Sequence, residues 1–285
     1  MLRRGLYLAI QGGAMNTSQA FRKLHERDEL FVMPNAWCEG SARLIQQLGY
    51  ASLGTTSAGI AYAQGYRDSS PSMDNEDRFA AIERIVRAVD IPVTADLENG
   101  LAKTLGKVEE HFRRALNVGC AGASIEDISD YHDPNTPLYF SIEEACDRVR
   151  AASEAAHALD ADFIVTARTD YLLGAHAYSL TEVIERLVAF EEAGADCLFA
   201  PGVKSIEDLE AIQRALSKPL NVLPVFGMTI DRLRTVGVRR ISLGSSLFRN
   251  AYRQISTVLL GLEEPQGLDF LQSGLSLNQL DEVMR

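Results

Sequence analysis

The chain alternates short apolar segments with longer amphipathic ones, and this alternation repeats eight times along its 285 residues. The short segments are rich in β-branched and apolar side chains, which favour strands. Strands separated by helices run parallel with right-handed crossovers, and eight such units close into a (β/α)8 barrel, the TIM-barrel form of the α/β class. The predicted strands are Leu30–Asn35, Ala51–Thr56, Ile91–Leu97, Gly122–Glu126, Phe163–Thr169, Cys197–Ala200, Leu220–Pro224 and Arg240–Gly244.

The longer segments predict the connecting helices. Ser141 and Glu144 have the spacing of a capping box, and Gly119 stands where a C′ glycine ends a helix. A doubly wound sheet is the rival fold, but the segment after the first strand lacks its glycine-rich phosphate turn. The predicted helices are Glu39–Leu48, Asn75–Val89, Leu105–Val118, Ser141–Leu159, Thr181–Ala193, Ser205–Leu216 and Thr229–Val236.

No segment rich in Pro, Gly or Ser divides the chain, which predicts one domain. We expect residues 1–16 to be an N-terminal extension and residues 17–285 to form a single barrel domain with a C-terminal helical extension. The segment from Phe248 to Arg285 is longer than one closing helix needs. It is therefore expected to cover a barrel end or to reach a neighbouring subunit.

Charge and cysteine content narrow the class of protein. Asp and Glu number 39 and Lys and Arg 28, a net charge of -11, which argues against nucleic acid or an anionic membrane as partner. No segment approaches the roughly 18 apolar residues of a membrane helix. The four cysteines lack the spacing of a zinc site, so we expect reduced thiols in a cytoplasmic protein.

Acidic residues and one arginine end three successive predicted strands. Asp96 and Glu98 end the third strand, Glu126 the fourth and Arg168 the fifth. In a TIM barrel, side chains at the carboxyl ends of the strands form the active site. Neighbouring carboxylates repel one another unless a cation lies among them, and Mg²⁺ or Mn²⁺ suits hard oxygen ligands. The pattern therefore predicts a divalent metal site.

Two further segments carry candidate substrate contacts. Thr56 ends the second predicted strand and Ser57 and Ala58 follow it, where hydroxyl and backbone N–H groups can bind a carboxylate. Asp68 lies in the polar loop downstream and can approach a substrate bound there, or can pair with Arg67.

Taken in order, four motifs resemble the isocitrate lyase/phosphoenolpyruvate mutase superfamily from about Phe31 to about Tyr252. The resemblance implies a Mg²⁺-dependent enzyme that acts on 2-oxo or 2-hydroxy carboxylates through a metal-stabilised enolate of pyruvate type. It also implies a homotetramer in which the last barrel helix is exchanged between paired subunits. The motifs are Gly65-Tyr66-Arg67-Asp68-Ser69, Asp96-Leu97-Glu98-Asn99-Gly100, Ile125-Glu126-Asp127 and Val165-Thr166-Ala167-Arg168-Thr169-Asp170.

The resemblance also assigns metal and catalytic roles. Asp96 matches the direct metal ligand of the family, and Glu98 and Glu126 match acids that hold the metal through its waters. Arg168 matches the arginine that binds the substrate carboxylate. Asp68 matches an acid near the reacting centre.

Other positions match substrate contacts of the family. Thr56, Ser57 and Ala58 match the turn whose hydroxyl and amides bind the same carboxylate as the arginine. Asn221, on the seventh predicted strand, falls where relatives place a polar substrate contact.

The loop after the fourth strand, residues 128–139, departs from the known branches. The lyases carry a catalytic cysteine there, and the phosphorus–carbon enzymes carry a lysine, but this loop contains neither. Cleavage of isocitrate or methylisocitrate is therefore disfavoured, as is phosphorus–carbon chemistry. His132 and Tyr139 are the candidate proton donors in the loop.

Loss of CO₂ from oxaloacetate needs an electron sink but no cysteine acid. We therefore predict a Mg²⁺-dependent carbon–carbon lyase or decarboxylase of a small 2-oxo or 2-hydroxy (di)carboxylate. The alternatives are a phosphoenolpyruvate or phosphonopyruvate mutase or hydrolase, and a barrel that binds a 2-oxo acid without turnover. A phosphosugar isomerase, binding phosphate at residues 244–246, is a fourth possibility.

Overall fold

A computed structural model describes residues 16–130, 138–173, 179–224, 227–262, 271 and 274–285. These residues contain nine strands and eleven helices. The strands β1 to β9 are, in order, Phe31–Met33, Asn35–Ala36, Leu53–Thr55, Val93–Asp96, Gly122–Glu126, Ile164–Arg168, Cys197–Phe199, Leu220–Val222 and Arg240–Ser242. The helices α1 to α11 are Thr17–Glu26, Glu39–Gln47, Ser57–Ala63, Asn75–Arg87, Leu105–Asn117, Ile142–His157, Leu180–Glu192, Ile206–Ala215, Ile230–Val236, Ser246–Gly261 and Leu277–Val283.

The strands form one parallel sheet that closes on itself. β1 pairs with β9, β2 pairs with β3, and every neighbouring pair between them is parallel. Only Pro34, which has no N–H group to donate, separates β1 from β2. The first predicted strand is therefore split in two, and the eight predicted strands form the ring of a (β/α)8 barrel, as expected.

Asn35 fastens the ring where it closes. Its Nδ2 donates to the Thr55 carbonyl at 2.8 Å, while its Oδ1 accepts from the backbone N–H groups of Leu243 and Gly244 at 2.8 and 2.9 Å. The Asn35 side chain thus links the end of β3 to the residues that follow β9. A buried amide with its polar atoms satisfied in this way specifies how the two edges meet.

The predicted helices are present, and their ends lie within two residues of the predicted ones. Ser141 and Glu144 form the expected capping box, in which the Ser141 hydroxyl accepts from the Glu144 N–H at 3.2 Å. Gly119 follows α5 with φ +97°, the left-handed conformation expected of a C′ glycine. Helices α1 and α3 were not predicted, whereas α10 and α11 lie in the C-terminal segment that was expected to be helical.

Helix α1 covers the amino end of the barrel. Phe21 on this helix is fully buried and packs with Ala121, Ile164 and Cys197, which lie at the starts of three adjacent strands. Because these strands are parallel, their first residues lie together at one end. α1 therefore closes the barrel opposite the carboxyl ends of the strands.

The sequence led us to expect no membrane-spanning helix and no disulfide framework. The described residues contain no helix that is both long enough and apolar enough to cross a membrane. All four cysteines fall in the described ranges and are free thiols, with Cys120 and Cys197 buried.

Replacing Phe21 with alanine should destabilise the barrel. The change removes a large side chain that is 0 % exposed, and such truncations cost about 3 to 5 kcal/mol. Urea unfolding followed by circular dichroism measures the free energy of unfolding. Lys23→Ala, an exposed position on the same helix, is the matched control and should change it by less than about 0.5 kcal/mol. Equal effects of the two substitutions would contradict the role assigned to α1.

Candidate active site

A cavity of about 250 Å³ opens at the carboxyl ends of the strands. Asp96, Glu126 and Arg168 are the last residues of β4, β5 and β6, so the parallel sheet delivers all three to this end. The structure brings all nine residues predicted for the site to the wall of this one cavity. They are Thr56, Ser57, Ala58, Asp68, Asp96, Glu98, Glu126, Arg168 and Asn221.

Strand register explains why the charged side chains converge. Asp96 pairs with Ser124 on the neighbouring strand, and Glu126 pairs with Arg168 on the next. Ser124 also lines the cavity, because it lies two residues before Glu126 and side chains on a strand alternate between faces. Ser124 was not among the predicted site residues, although its spacing from Glu126 could have identified it.

Asp96 is held by the start of α3. Its Oδ2 accepts from the backbone N–H of Ser57 at 3.0 Å and from the Ser57 hydroxyl at 2.8 Å. The Asp96 N–H in turn donates to the Thr55 hydroxyl at 2.9 Å. The turn predicted to bind a substrate carboxylate therefore orients this carboxylate of the chain itself.

The other two residues of this turn have different positions. Thr56 is buried and caps α3, with its hydroxyl oxygen accepting from the Gly59 N–H at 3.3 Å. Ala58 lies in the first turn of α3, where N–H groups have no acceptor within the helix. Ala58 borders the cavity, so its N–H is a candidate donor to a bound anion.

Glu98 has an unusual backbone and a charged partner. Its φ of +49° is rare for a residue with a side chain, and such strain concentrates at functional sites. Arg78 from α4 pairs with the Glu98 carboxylate and also donates to the carbonyl of Ser70 at 2.8 Å. Burial raises the pKa of Glu98 to about 7, and the neighbouring carboxylates of Asp96 and Asp68 add to the rise while Arg78 opposes it.

Arg168 is bound by two carboxylates. Its guanidinium makes two hydrogen bonds to Asp170, one of them 2.6 Å from Nη2 to Oδ2, and its Nη1 lies 3.0 Å from Glu126 Oε2. Burial raises the pKa of Glu126 well above its usual range, although Arg168 opposes this. The bidentate contact with Asp170 fixes the plane of the Arg168 guanidinium. Asp170 was not among the predicted site residues.

Acids outnumber bases around the upper part of the cavity. Asp68 joins Asp96, Glu98 and Glu126 there, and burial together with Asp96 raises its pKa. Burial is the main cause of the raised pKa values of these carboxyl groups, and repulsion between neighbouring carboxylates adds to it. Within the described ranges, no three His, Cys, Asp or Glu side chains are close enough to hold a metal ion jointly.

Asn221 lies on the floor of the cavity with both ends of its amide engaged. Its Oδ1 accepts from Arg240 Nε at 2.9 Å, and its Nδ2 donates to the Ser242 hydroxyl at 2.9 Å. Arg240 also borders the cavity and was not predicted as a site residue. The sequence signal was a charged residue at the first position of the eighth predicted strand, where a barrel strand normally carries apolar side chains.

Of the two candidate proton donors after β5, one can be placed. The Tyr139 hydroxyl is buried and donates to the Asp170 carbonyl at 3.1 Å, so it supports the backbone beside Arg168. Its residue also forms an antiparallel bridge with Ile128 that closes the base of the loop. His132 lies outside the described residues.

The raised pKa of Glu98 predicts a pH-dependent stability. Its pKa in the folded state, about 7, exceeds the ordinary 4.5, so protonation favours folding. This contribution is fully present below pH 4.5 and is lost as the pH rises through 7, a loss of about 3 kcal/mol at most. Urea unfolding in a metal chelator, at several pH values in this window, should show a smaller loss for Glu98→Gln than for the wild type. Exposed Glu185→Gln is the control, and identical losses in all three proteins would refute the assignment.

Comparison with known families places most of the chain in one family. The family model described as phosphoenolpyruvate phosphomutase matches residues 21–262. This span contains every strand of the barrel and all nine residues predicted for the site.

Named relatives cover much of the chain. The 2-methylisocitrate lyase of Escherichia coli (strain K12) is 28% identical over 93% of this chain and 94% of its own. The oxaloacetate decarboxylase of Paraburkholderia xenovorans (strain LB400) is 29% identical over 73% of this chain and 69% of its own. A solved structure of oxaloacetate acetylhydrolase with its product oxalate has a TM-score of 0.80 at 27% identity, covering 94% of both chains. The chain belongs to the phosphoenolpyruvate phosphomutase family, within the isocitrate lyase/phosphoenolpyruvate mutase superfamily, and is an enzyme of this lyase and mutase group.

Proposed function

We propose that the protein is a Mg²⁺-dependent carbon–carbon lyase or decarboxylase of a small 2-oxo or 2-hydroxy (di)carboxylate. The observation that carries this proposal is the convergence of four acids and an oriented arginine on one small cavity. Three relatives named above act, by their names, on oxaloacetate, a 2-oxo dicarboxylate, or on methylisocitrate, a 2-hydroxy carboxylate. The absence of cysteine from residues 128–139 favours loss of CO₂ over cleavage that needs a thiol acid.

The upper part of the cavity fits a hard divalent cation. We propose Asp96 as the direct ligand, with Glu98 and Glu126 binding through waters, because oxygen donors and retained waters suit Mg²⁺ and Mn²⁺. A cation bound there supplies a Lewis acid that withdraws electrons from the oxo group of the substrate. Ser57 contributes by holding the Asp96 carboxylate in a single orientation.

Arg168 and the start of α3 bind the substrate carboxylate in this proposal. Asp170 fixes the guanidinium of Arg168 by two bonds, and Ala58 offers a backbone N–H that the helix does not use. Thr56 keeps this turn in place as the cap of α3. Donors that are already oriented lose little entropy on binding, and a well-placed donor to developing negative charge contributes roughly 3 kcal/mol.

Asp68 is the proposed proton-transfer group. Loss of CO₂ leaves a carbon that must take up a proton, and no cysteine is available in residues 128–139 to give it. The Asp68 carboxyl borders the cavity, and its raised pKa increases the fraction that carries a proton near neutral pH. Asn221 completes the set as a polar contact on the cavity floor.

The Asp96→Asn variant should lose Mg²⁺-dependent pyruvate release by a factor of at least about 1,000, because the neutral amide is a poor ligand for the cation. Oxaloacetate, phosphonopyruvate, methylisocitrate and dimethylmalate are tested in parallel, with pyruvate measured for each. The exposed Glu185→Gln variant should keep wild-type rates, and unchanged circular dichroism should show that Asp96→Asn folds.

Other outcomes of this screen point elsewhere. Unchanged pyruvate release by Asp96→Asn would contradict the proposed function. Phosphate release from phosphonopyruvate, without pyruvate from the carbon substrates, would favour the phosphorus–carbon alternative. Tight binding without any product would favour a 2-oxo-acid binder.

We also propose that the protein forms a homo-oligomer through α10. Tyr252, Ile255 and Leu259 follow the spacing of one helix face, and all three are about half exposed. Leu260 beside them is 66% exposed. Apolar stripes of this kind are normally covered, and a second copy of the chain, exchanging this helix within a tetramer, is the occupant we infer.

Placing a charge on this stripe should break the assembly. Leu259→Glu should lower the sedimentation coefficient to that of a smaller species, because an unpaired carboxylate is costly in an apolar interface. Gln254→Glu adds the same charge at an exposed position of α10 outside the stripe and should leave the assembly intact. A monomeric wild type, or equal dissociation of both variants, would contradict the proposed interface.

A further inference from the structure

Arg240 is a buried guanidinium at the bottom of the catalytic cavity. It is the first residue of β9, is 2% exposed and borders the cavity from below. Its Nε donates to Asn221 Oδ1 at 2.9 Å and its Nη2 to the Thr166 hydroxyl at 3.0 Å. Its Nη1 lies 3.0 Å from Nε2 of His25 on α1.

His25 accepts a hydrogen bond from Arg240 and stays neutral. Nδ1 of His25 is 2.8 Å from the Phe21 carbonyl, which can only accept, so Nδ1 carries the ring proton. Nε2 then has a free lone pair for the Arg240 N–H. Burial, together with the charge of Arg240, lowers the pKa of His25 to about 3, so the ring remains uncharged in the neutral range.

All three acceptors of Arg240 are therefore neutral groups. The other two arginines beside the cavity differ, because Arg78 pairs with Glu98 and Arg168 with Glu126 and Asp170. Within the described residues, no carboxylate lies within 4.0 Å of the Arg240 guanidinium. Buried charges are normally paired, since an unbalanced one costs several kcal/mol.

The unbalanced charge faces a space of substrate size. Three of the five N–H groups of the guanidinium donate to Asn221, Thr166 and His25, which leaves one N–H on each terminal nitrogen. The positive floor lies opposite the acidic upper part of the cavity. A molecule bound between them meets a surplus of negative charge above and positive charge below.

We propose that Arg240 binds an anionic group of the substrate at the cavity floor and so makes the enzyme selective for dianions over monoanions. The inference rests on the proposed function in taking this cavity as the substrate site. It adds a residue that determines specificity and narrows the substrate to a compound with two negative groups. A structural role alone, in which Arg240 only fills the barrel, predicts no such selectivity.

The test compares the affinities of two ligands for three proteins. Oxalate carries two carboxylates, and oxamate replaces one of them with a neutral amide of nearly the same shape. Isothermal titration calorimetry with Mg²⁺ present gives the ratio of their affinities for the wild type, Arg240→Gln and Arg240→Lys. Any difference in how the two ligands bind the metal is common to all three proteins and cancels in the comparison.

We expect the ratio of oxalate to oxamate affinity to fall at least tenfold in Arg240→Gln. Arg240→Lys keeps the charge and should retain the ratio to within about threefold. Thr166→Val, which removes one acceptor but no charge, should also retain it. A ratio that is equal in the wild type and Arg240→Gln, or that falls equally with lysine and glutamine, overturns the proposal.

A second pair of variants addresses the case in which Arg240→Gln fails to fold. His25 does not border the cavity, so His25→Glu places a carboxylate beside Arg240 on the side away from the cavity. This carboxylate balances the Arg240 charge while the guanidinium itself is kept. His25→Gln is the matched neutral control. The ratio of oxalate to oxamate affinity should fall in His25→Glu and stay at the wild-type value in His25→Gln. Equal ratios in the two folded variants would also overturn the proposal.

The two proposals fail separately. If none of the tested compounds yields pyruvate, the proposed reaction is wrong, but the affinity ratio still reports on Arg240. If pyruvate is released while the ratio is insensitive to position 240, the reaction stands and the specificity residue is wrong.

Discussion

Closure of the parallel sheet is the constraint on which the rest of this structure depends. Every strand runs in the same direction, so every carboxyl end lies at one end of the ring. The ring closes at Pro34, where one strand divides between two partners, and the Asn35 amide joins the two edges. Residues far apart in sequence, such as Asp68 and Asn221, line one cavity because of this closure.

Charge is layered along the axis of the barrel. The upper part of the cavity has more carboxyl groups than arginines, and burial, with a smaller contribution from mutual repulsion, raises their pKa values. The floor carries Arg240, which is surrounded by neutral acceptors and lies against the helix that closes the amino end. Burying the Arg240 guanidinium without a carboxylate beside it among the described residues is costly to fold, since a buried charge loses its hydration. Ionisable groups with strongly shifted pKa values cluster at functional sites.

The periodicity and the strand-end rule predicted most of the architecture. All eight predicted strands exist, because the alternation of apolar and polar side chains is a local property of the chain. The nine residues assigned to the site, Asn221 among them only through the family resemblance, line one cavity. The partners of these residues were not predicted. Ser57 was assigned to a substrate carboxylate but holds Asp96, and Asp170 was not foreseen as the partner of Arg168. Such pairings depend on side-chain directions across neighbouring strands, which sequence spacing does not specify.

The sequence by itself determined the fold class, the end of the barrel that carries the chemistry and the residue types available there. Hydrophobic period, helix caps and the order of the motifs contain this information, since each depends on neighbours close along the chain. Only the tertiary structure decided which charges are balanced. Helix α1 brings His25 beneath Arg240 across more than two hundred residues, and β6 sets Arg168 against Glu126 and Asp170. Electrostatic balance depends on distance and burial in three dimensions, and neither can be read from position in the chain.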